Sequence, residues 1–154
     1  MSTSYSARKN AATRGFTLIE ILVVIGIIAI LAAIVIIAIN PARQFKQAHD
    51  AQRQSNVNAV LNAIGQNIAD NKGVFTCSAS LPSSATDIEK TGGVDLRACL
   101  VPTYLPELPA DPTTGTAWTG STYDTKYTVL QDSTTGRVTV SATGEITNPI
   151  AVTR

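Results

Sequence analysis

The sequence predicts an α+β fold: a long N-terminal helix, apolar in its first half and amphipathic in its second, then a small antiparallel β-sheet. Three observations carry that expectation. Ile21 to Ile39 is a run of nineteen residues with no charge, amide or hydroxyl. Val57, Leu61, Ile64 and Ile68 recur at three and four, the spacing of one helix face. Lys126 to Gln131 and Arg137 to Ser141 alternate at period two around Asp132-Ser133-Thr134-Thr135-Gly136, a hairpin pattern. At 154 residues the chain has room for one domain plus tails.

The first helix organises the rest. A nineteen-residue helix spans roughly 28 Å at ~1.5 Å per residue, about the thickness of a hydrocarbon core. No other part of the chain is apolar enough to surround such a helix, so a transmembrane segment is expected. Glu20 does not suit a plain anchor, because a carboxylate within a bilayer costs about 2.5–3.5 kcal/mol on insertion scales. The boundary is abrupt as well. A polar tail with Arg8, Lys9 and Arg14 passes directly into Gly15-Phe16-Thr17-Leu18-Ile19-Glu20 and the apolar run. No small-x-small cleavage site follows the run, so the layout is not that of a secretory signal peptide.

This boundary resembles the N-terminus of type IV prepilins and pseudopilins. The resemblance covers Arg14 to Glu20, the basic leader and the apolar tail. It implies a pilin-like lollipop fold, the long helix packed on a small antiparallel sheet. It implies cleavage after Gly15 by a membrane-embedded prepilin peptidase, and N-methylation of the new terminus, Phe16. It implies that Glu20 pairs with the charged N-terminus at Phe16 of a neighbouring subunit during filament assembly. Physical chemistry suits that scheme. Cleavage creates an α-amino group with a pKa near about 7.7–8.0, cationic at neutral pH. A charge entering a low-dielectric bundle is costly, and pairing reduces the cost.

The expected divisions are a leader over 1–15, a transmembrane or filament-core helix over 16–40, an amphipathic helix over 41–73, and a disulfide-stapled loop and sheet region over 74–154. Implied partners are the prepilin peptidase and N-methyltransferase, identical or related subunits, an inner-membrane assembly platform, and membrane lipid before assembly. Lys and Arg total 12 against 11 acidic residues; loss of Arg8, Lys9 and Arg14 leaves 9 against 11, formally −2. That balance does not support DNA binding through a broad basic surface. Three basic residues precede the span, and Arg43, Lys46 and Arg53 follow it, so charge alone does not orient the chain. The cysteines and the resemblance place the N-terminus in the cytoplasm and the body outside.

Gly26 and Pro41 are the weak points of the long helix. Gly costs ~1 kcal/mol against Ala in a helix interior. Pro41 cannot donate to the Ile37 carbonyl and crowds that turn. A kink at Pro41 is favoured over a helix that stops at Asn40 and restarts. Pro41 lies further from the cleavage point than the helix-weakening proline of pilins. Asn71-Lys72-Gly73 reads as the stop, with Gly73 suited to a left-handed cap. Arg43, Lys46 and Arg53 read as a solvated helix face in preference to a headgroup-binding one. His49, the only histidine, reads as solvated surface in preference to a ligand or base.

Cys77 and Cys99 are the only cysteines. They form no CxxC motif, and two thiols make a poor zinc site. With the body outside the cytoplasm a disulfide is the natural reading, the alternative being two buried thiols. Pro102, Pro106, Pro109 and Pro112 make 100–112 an extended connector, with Tyr104, Leu105 and Leu108 expected to pack inward. A last short strand or tail is expected over 146–152, with Pro149 marking an edge. No alternating-Asp calcium loop, P-loop, dinucleotide fingerprint, HExxH, GxSxG or glycosylation sequon occurs. The expectation is a non-enzyme with no cofactor or metal, itself the substrate of cleavage and methylation.

The functional expectation is therefore a structural subunit of a type IV pilus-like filament, serving adhesion, motility or DNA uptake. The alternative is a pseudopilin of a type II secretion or competence apparatus, reached in the periplasm rather than at the cell surface. A one-pass protein with an unrelated binding domain fits the motif poorly. The cysteine pair and the lack of a recognisable calcium loop lean toward pilin.

Overall fold

A computed structural model describes residues 15–154. Apart from Gly15, the expected leader lies outside the described residues, Arg8, Lys9 and Arg14 included. The chain divides into two compact units, one ending at Pro41 and one comprising Ala42–Arg154.

The first unit contains one described helix, α1 (Leu18–Ile39), uninterrupted through Gly26. It ends at Asn40, whose φ of 47° and ψ of 76° are left-handed. A second helix, α2 (Pro41–Asp70), starts at the next residue. The expected kink at Pro41 is thus a break. A residue before proline is disfavoured in the right-handed helical region. Asparagine enters the left-handed region more readily than most residues. Proline, lacking an N–H, suits the first position of the new helix.

The second unit is built on α2 from Ala42 onward. Asp50, Arg53, Val57, Val60, Leu61, Ala63, Ile64 and Asn67 form its buried face. The helix stops where expected, but Lys72 (φ 59°) takes the first left-handed position and Gly73 (φ 91°) follows it. The Gly73 N–H donates to the Ile68 carbonyl at 2.8 Å, satisfying one of the orphan carbonyls of the last turn.

The sheet has four antiparallel strands in the order β1 (Thr86–Glu89), β2 (Asp124–Gln131), β3 (Val138–Ala142), β4 (Ile150–Thr153). β2 and β3 are the expected hairpin, with Val129 opposite Val140. The Asp132 carboxylate accepts the N–H groups of Thr134 (2.8 Å) and Thr135 (2.7 Å), and Gly136 supplies the positive φ that the turn needs. β4 begins directly after Pro149 and forms a sheet edge, as Pro149 suggests. β1 lies in a stretch that reads as irregular loop. It is only four residues long and its register slips between Asp87 and Glu89.

Alternation along β2 sends Thr125, Tyr127 and Val129 inward. Tyr127 and Val129 join Val57, Val60, Leu61 and Ile64 of α2, together with Ile88, Val140 and Ile150, in one apolar cluster, while the buried Thr125 hydroxyl donates to the Ile88 carbonyl at 2.8 Å. The proline-rich connector adds Leu108, with Tyr104 and Leu105 packed against the cluster. Asn56 of α2 donates to the Ala110 carbonyl (3.2 Å) and to the Tyr127 hydroxyl (2.9 Å), tying connector, helix and sheet together.

Cys77 and Cys99 are joined in a disulfide, with Cα atoms 5.3 Å apart. Cys99 sits on a four-residue helix, α3 (Arg97–Leu100). Beside it, Arg97 grips Glu107 through two 2.8 Å hydrogen bonds and stacks 4.1 Å from the Trp118 ring centre. Trp118 meets Tyr123 edge-on, and the Tyr123 hydroxyl donates to Asp95 at 2.8 Å. The disulfide loop and the 113–123 loop are therefore cross-braced. In native protein without reductant, thiol reagents are expected to label neither cysteine. Cys77→Ser is expected to lower unfolding stability by about 2–4 kcal/mol, read by denaturant titration. Full labelling of both thiols in native protein sinks this expectation.

α2 is also bolted to the sheet region by a buried ion cluster. The Arg53 side chain is 2% exposed. Its Nε donates to Asp111 at 2.6 Å, one Nη to Asp50 at 2.9 Å and Glu145 at 3.2 Å, and the other to Asp111 at 3.2 Å and Thr113 at 2.7 Å. Asp50 also accepts the backbone N–H groups of Glu145, Ile146 and Thr147 at 2.8–3.0 Å. Asp111 likewise accepts those of Thr113 and Thr114, both at 2.9 Å. Arg53 is thus a buried structural cation, not part of a solvated face. His49, expected in solvent alone, is partly exposed and its Nδ1 lies 2.9 Å from Glu145 Oε1.

Candidate processing and assembly site

Gly15 and Phe16 precede the first helix without regular secondary structure, both exposed, with Phe16 84% accessible. Helix α1 starts behind them because Thr17 caps it. The Thr17 backbone is extended (φ −79°, ψ 152°) and its side-chain oxygen accepts the Glu20 N–H at 3.2 Å. Glu20 answers: its Oε2 accepts the Thr17 N–H and the Thr17 hydroxyl, each at 2.8 Å. This is a reciprocal capping box, satisfying donors that the first turn of a helix leaves without partners.

The Glu20 carboxylate is therefore held toward the N-terminal end of α1, one residue from Phe16. The chain itself does not pair Glu20 with the Phe16 nitrogen, which in the uncleaved chain is an uncharged amide. The sequence reading missed Thr17 as the residue that positions Glu20. The signal was present, since Thr17-x-x-Glu20 has the spacing of a capping box.

Beyond the cap, α1 has no buried residue. Its large apolar side chains from Leu18 to Ile39 are 49–83% exposed. They surround the helix rather than lining one face, so the whole circumference calls for an apolar environment. At 22 residues the helix is about 33 Å long, compatible with single-pass membrane anchoring.

In the body, Asp50 and Asp111 serve the buried ion cluster around Arg53. Burial alone would raise the Asp50 carboxyl; the N–H groups of Thr147, Glu145 and Ile146, with Arg53, outweigh it and hold Asp50 well below the ordinary range. The same contest at Asp111 is won by Arg53 and the Thr113 and Thr114 N–H groups. Among the described residues, no group of three His, Cys, Asp or Glu side chains stands close enough to hold a metal ion.

The prokaryotic N-terminal methylation motif, as a family profile, matches residues 10–39 of this chain. The chain thus carries the type IV prepilin signature, and the motif supports a type IV pilin-like or pseudopilin protein. The family defined by that motif is structural rather than catalytic. No curated protein and no solved structure matches the chain significantly.

Proposed function

We propose that this protein is a structural subunit of a type IV pilus-like filament, made as a prepilin, cut between Gly15 and Phe16, methylated on Phe16, and assembled through α1. The observation that carries the reading is the methylation motif leading into a helix whose apolar surface is uncovered on every side. Such a helix is served by lipid in the single subunit and by copies of itself in a filament. Gly15 and Phe16 are exposed ahead of the first helical turn, as access by a peptidase requires. In the assembled state the Glu20 carboxylate meets the Phe16 α-ammonium of a neighbour. The cross-braced, disulfide-stapled body suits a destination outside the cytoplasm, the periplasm and the cell surface alike.

Intact-mass analysis and N-terminal sequencing of the membrane form should show loss of 15 residues and one added methyl group on Phe16. Gly15→Val, which sets a branched side chain at the cleaved bond, should leave full-length precursor in the membrane. Recovery of full-length chain from assembled filaments would falsify the processing scheme. Electron micrographs of cells separate the destinations, since a pseudopilus leaves no long surface fibre.

A further inference from the structure

The opening turns of α2 carry an apolar stripe that the body leaves uncovered. Ala42, Phe45 and Ala48 are spaced by three and share one helix face. All three are exposed, Phe45 at 67%. Arg43 and Lys46, also three apart, flank this stripe, Lys46 one turn on from Ala42. From Ala42 to Ala48 there are two cations and no anion. The first acidic residue after them, Asp50, is turned inward to Arg53 and the 145–147 backbone. Of the three basic residues that follow the apolar run, Arg53 is thus withdrawn into the fold. The two nearer the run stay on an exposed helical segment.

We propose that in the membrane-anchored subunit the segment Ala42–Ala48 lies in the bilayer interface, with Phe45 at the headgroup–acyl boundary and Arg43 and Lys46 on anionic phospholipid headgroups. The proposal rests on α1 being the membrane span. Chain connectivity then confines the segment: Lys46 is seven residues beyond Ile39, at most about 25 Å even if extended, and six of those residues are helical. A phenylalanine on a helix that also carries basic residues buries its ring at the headgroup–acyl boundary. Basic side chains next to a span are drawn to an anionic surface within a screening length. The chemistry that fits the segment is therefore a negatively charged lipid surface. Its release on assembly removes one hold on the membrane as the subunit leaves the bilayer.

The test uses the full chain in phosphatidylcholine vesicles with and without phosphatidylglycerol. The disulfide leaves no other reactive thiol, so an environment-sensitive fluorophore can be placed on Ala48→Cys, and in a second protein on Ile30→Cys. The Ile30 label should be quenched by nitroxide lipids with deep probes in both membranes. The Ala48 label should be quenched by shallow probes, and more strongly with phosphatidylglycerol. Arg43→Gln and Lys46→Gln should each lower interfacial occupancy about five-fold in the anionic vesicles. A water-exposed Ala48 label beside a membrane-buried Ile30 label overturns this inference and leaves the span intact. Two water-exposed labels overturn the span and the inference with it. Equal Ala48 quenching in both vesicle types overturns the headgroup role of Arg43 and Lys46. Protection of Ala48 that rises with protein density points to a second copy of the chain and also overturns the proposal.

Discussion

Arg53→Ala unfolds the body at far lower denaturant than the unaltered protein, with a loss of about 3–5 kcal/mol expected in a chemical denaturation series. The size follows from what the guanidinium touches. It is buried and holds Asp50 on its own helix, Asp111 at the end of the connector and Glu145 before β4. Truncation leaves these carboxylates facing one another without their cation. The backbone donors of Asp50 and Asp111 stay in place, which puts the loss within the range for a broken buried pair rather than beyond it. A small domain has only about 5–15 kcal/mol in all, so the change consumes a large share. Arg53→Lys keeps the charge but not the planar fork, and cannot reach Asp50, Asp111, Glu145 and Thr113 together. It should recover less than half of the loss. The same cluster sets the acid response. Asp50 and Asp111 have folded-state values depressed below those of the unfolded chain. Their contribution is therefore complete above about pH 4, near the unfolded carboxylate value, and is lost as pH falls through the depressed values. Thermal unfolding followed from pH 7 to pH 2 should show a steep fall only below about pH 4, and the fall should flatten in Arg53→Ala. An unchanged midpoint in Arg53→Ala would show that the cluster contributes nothing net.

The two halves of this chain differ in how far their structure can be read from the sequence. The apolar run and the Val57–Ile68 stripe announce the helices because each signal is local and repeats within a few residues. The β2–β3 hairpin is legible for the same reason: its turn chemistry and its alternation lie side by side. β1 is not legible, since Thr86–Glu89 is short, polar and edge-placed, and is a strand only because β2 pairs with it. The ion cluster fails the reading at Arg53 itself. Asp50 and Arg53 are neighbours on one helix, but Asp111 and Glu145 lie 58 and 92 residues from Arg53. Nothing local distinguishes a buried arginine from the exposed Arg43 and Lys46 of the same helix. The break at Asn40 was half legible: Pro41 marks the place, while the left-handed Asn40 that turns a kink into a break is a backbone choice that hydropathy does not register. At the N-terminus the motif is explicit, yet the partnership between Thr17 and Glu20 emerges only from the geometry of the cap.

Glu20→Val is expected to accumulate as a processed, membrane-bound monomer with filament yield reduced at least about tenfold, a deficit of only ~1.4 kcal/mol per tenfold in the assembly equilibrium. Insertion and cleavage should be unharmed, because removing a carboxylate from the apolar helix lowers its insertion cost and leaves Gly15 and Phe16 untouched. Valine, however, removes two things together: the negative charge and the acceptor that caps Thr17. Glu20→Gln separates them. Glutamine serves as the third residue of a capping box as glutamate does, but carries no charge to meet an α-ammonium group. If pairing with the Phe16 terminus of a neighbour drives assembly, Glu20→Gln fails nearly as completely as Glu20→Val. Thr17→Ala is the converse. It loses the hydroxyl that receives the Glu20 N–H and donates to its carboxylate, and should destabilise the first turn by about 0.5–2 kcal/mol. It keeps the charge, so filaments should still form, at a yield well above that of Glu20→Gln. Glu20→Asp should fall between, its shorter side chain reaching a neighbouring terminus less well. The measurement is the ratio of sheared filaments to membrane-bound subunit for all four variants, with the N-terminus sequenced in each fraction. Normal yield from Glu20→Gln beside failure of Thr17→Ala would reverse the assignment: Glu20 would then act in assembly as the cap of its own helix, with no ionic partner in the next subunit.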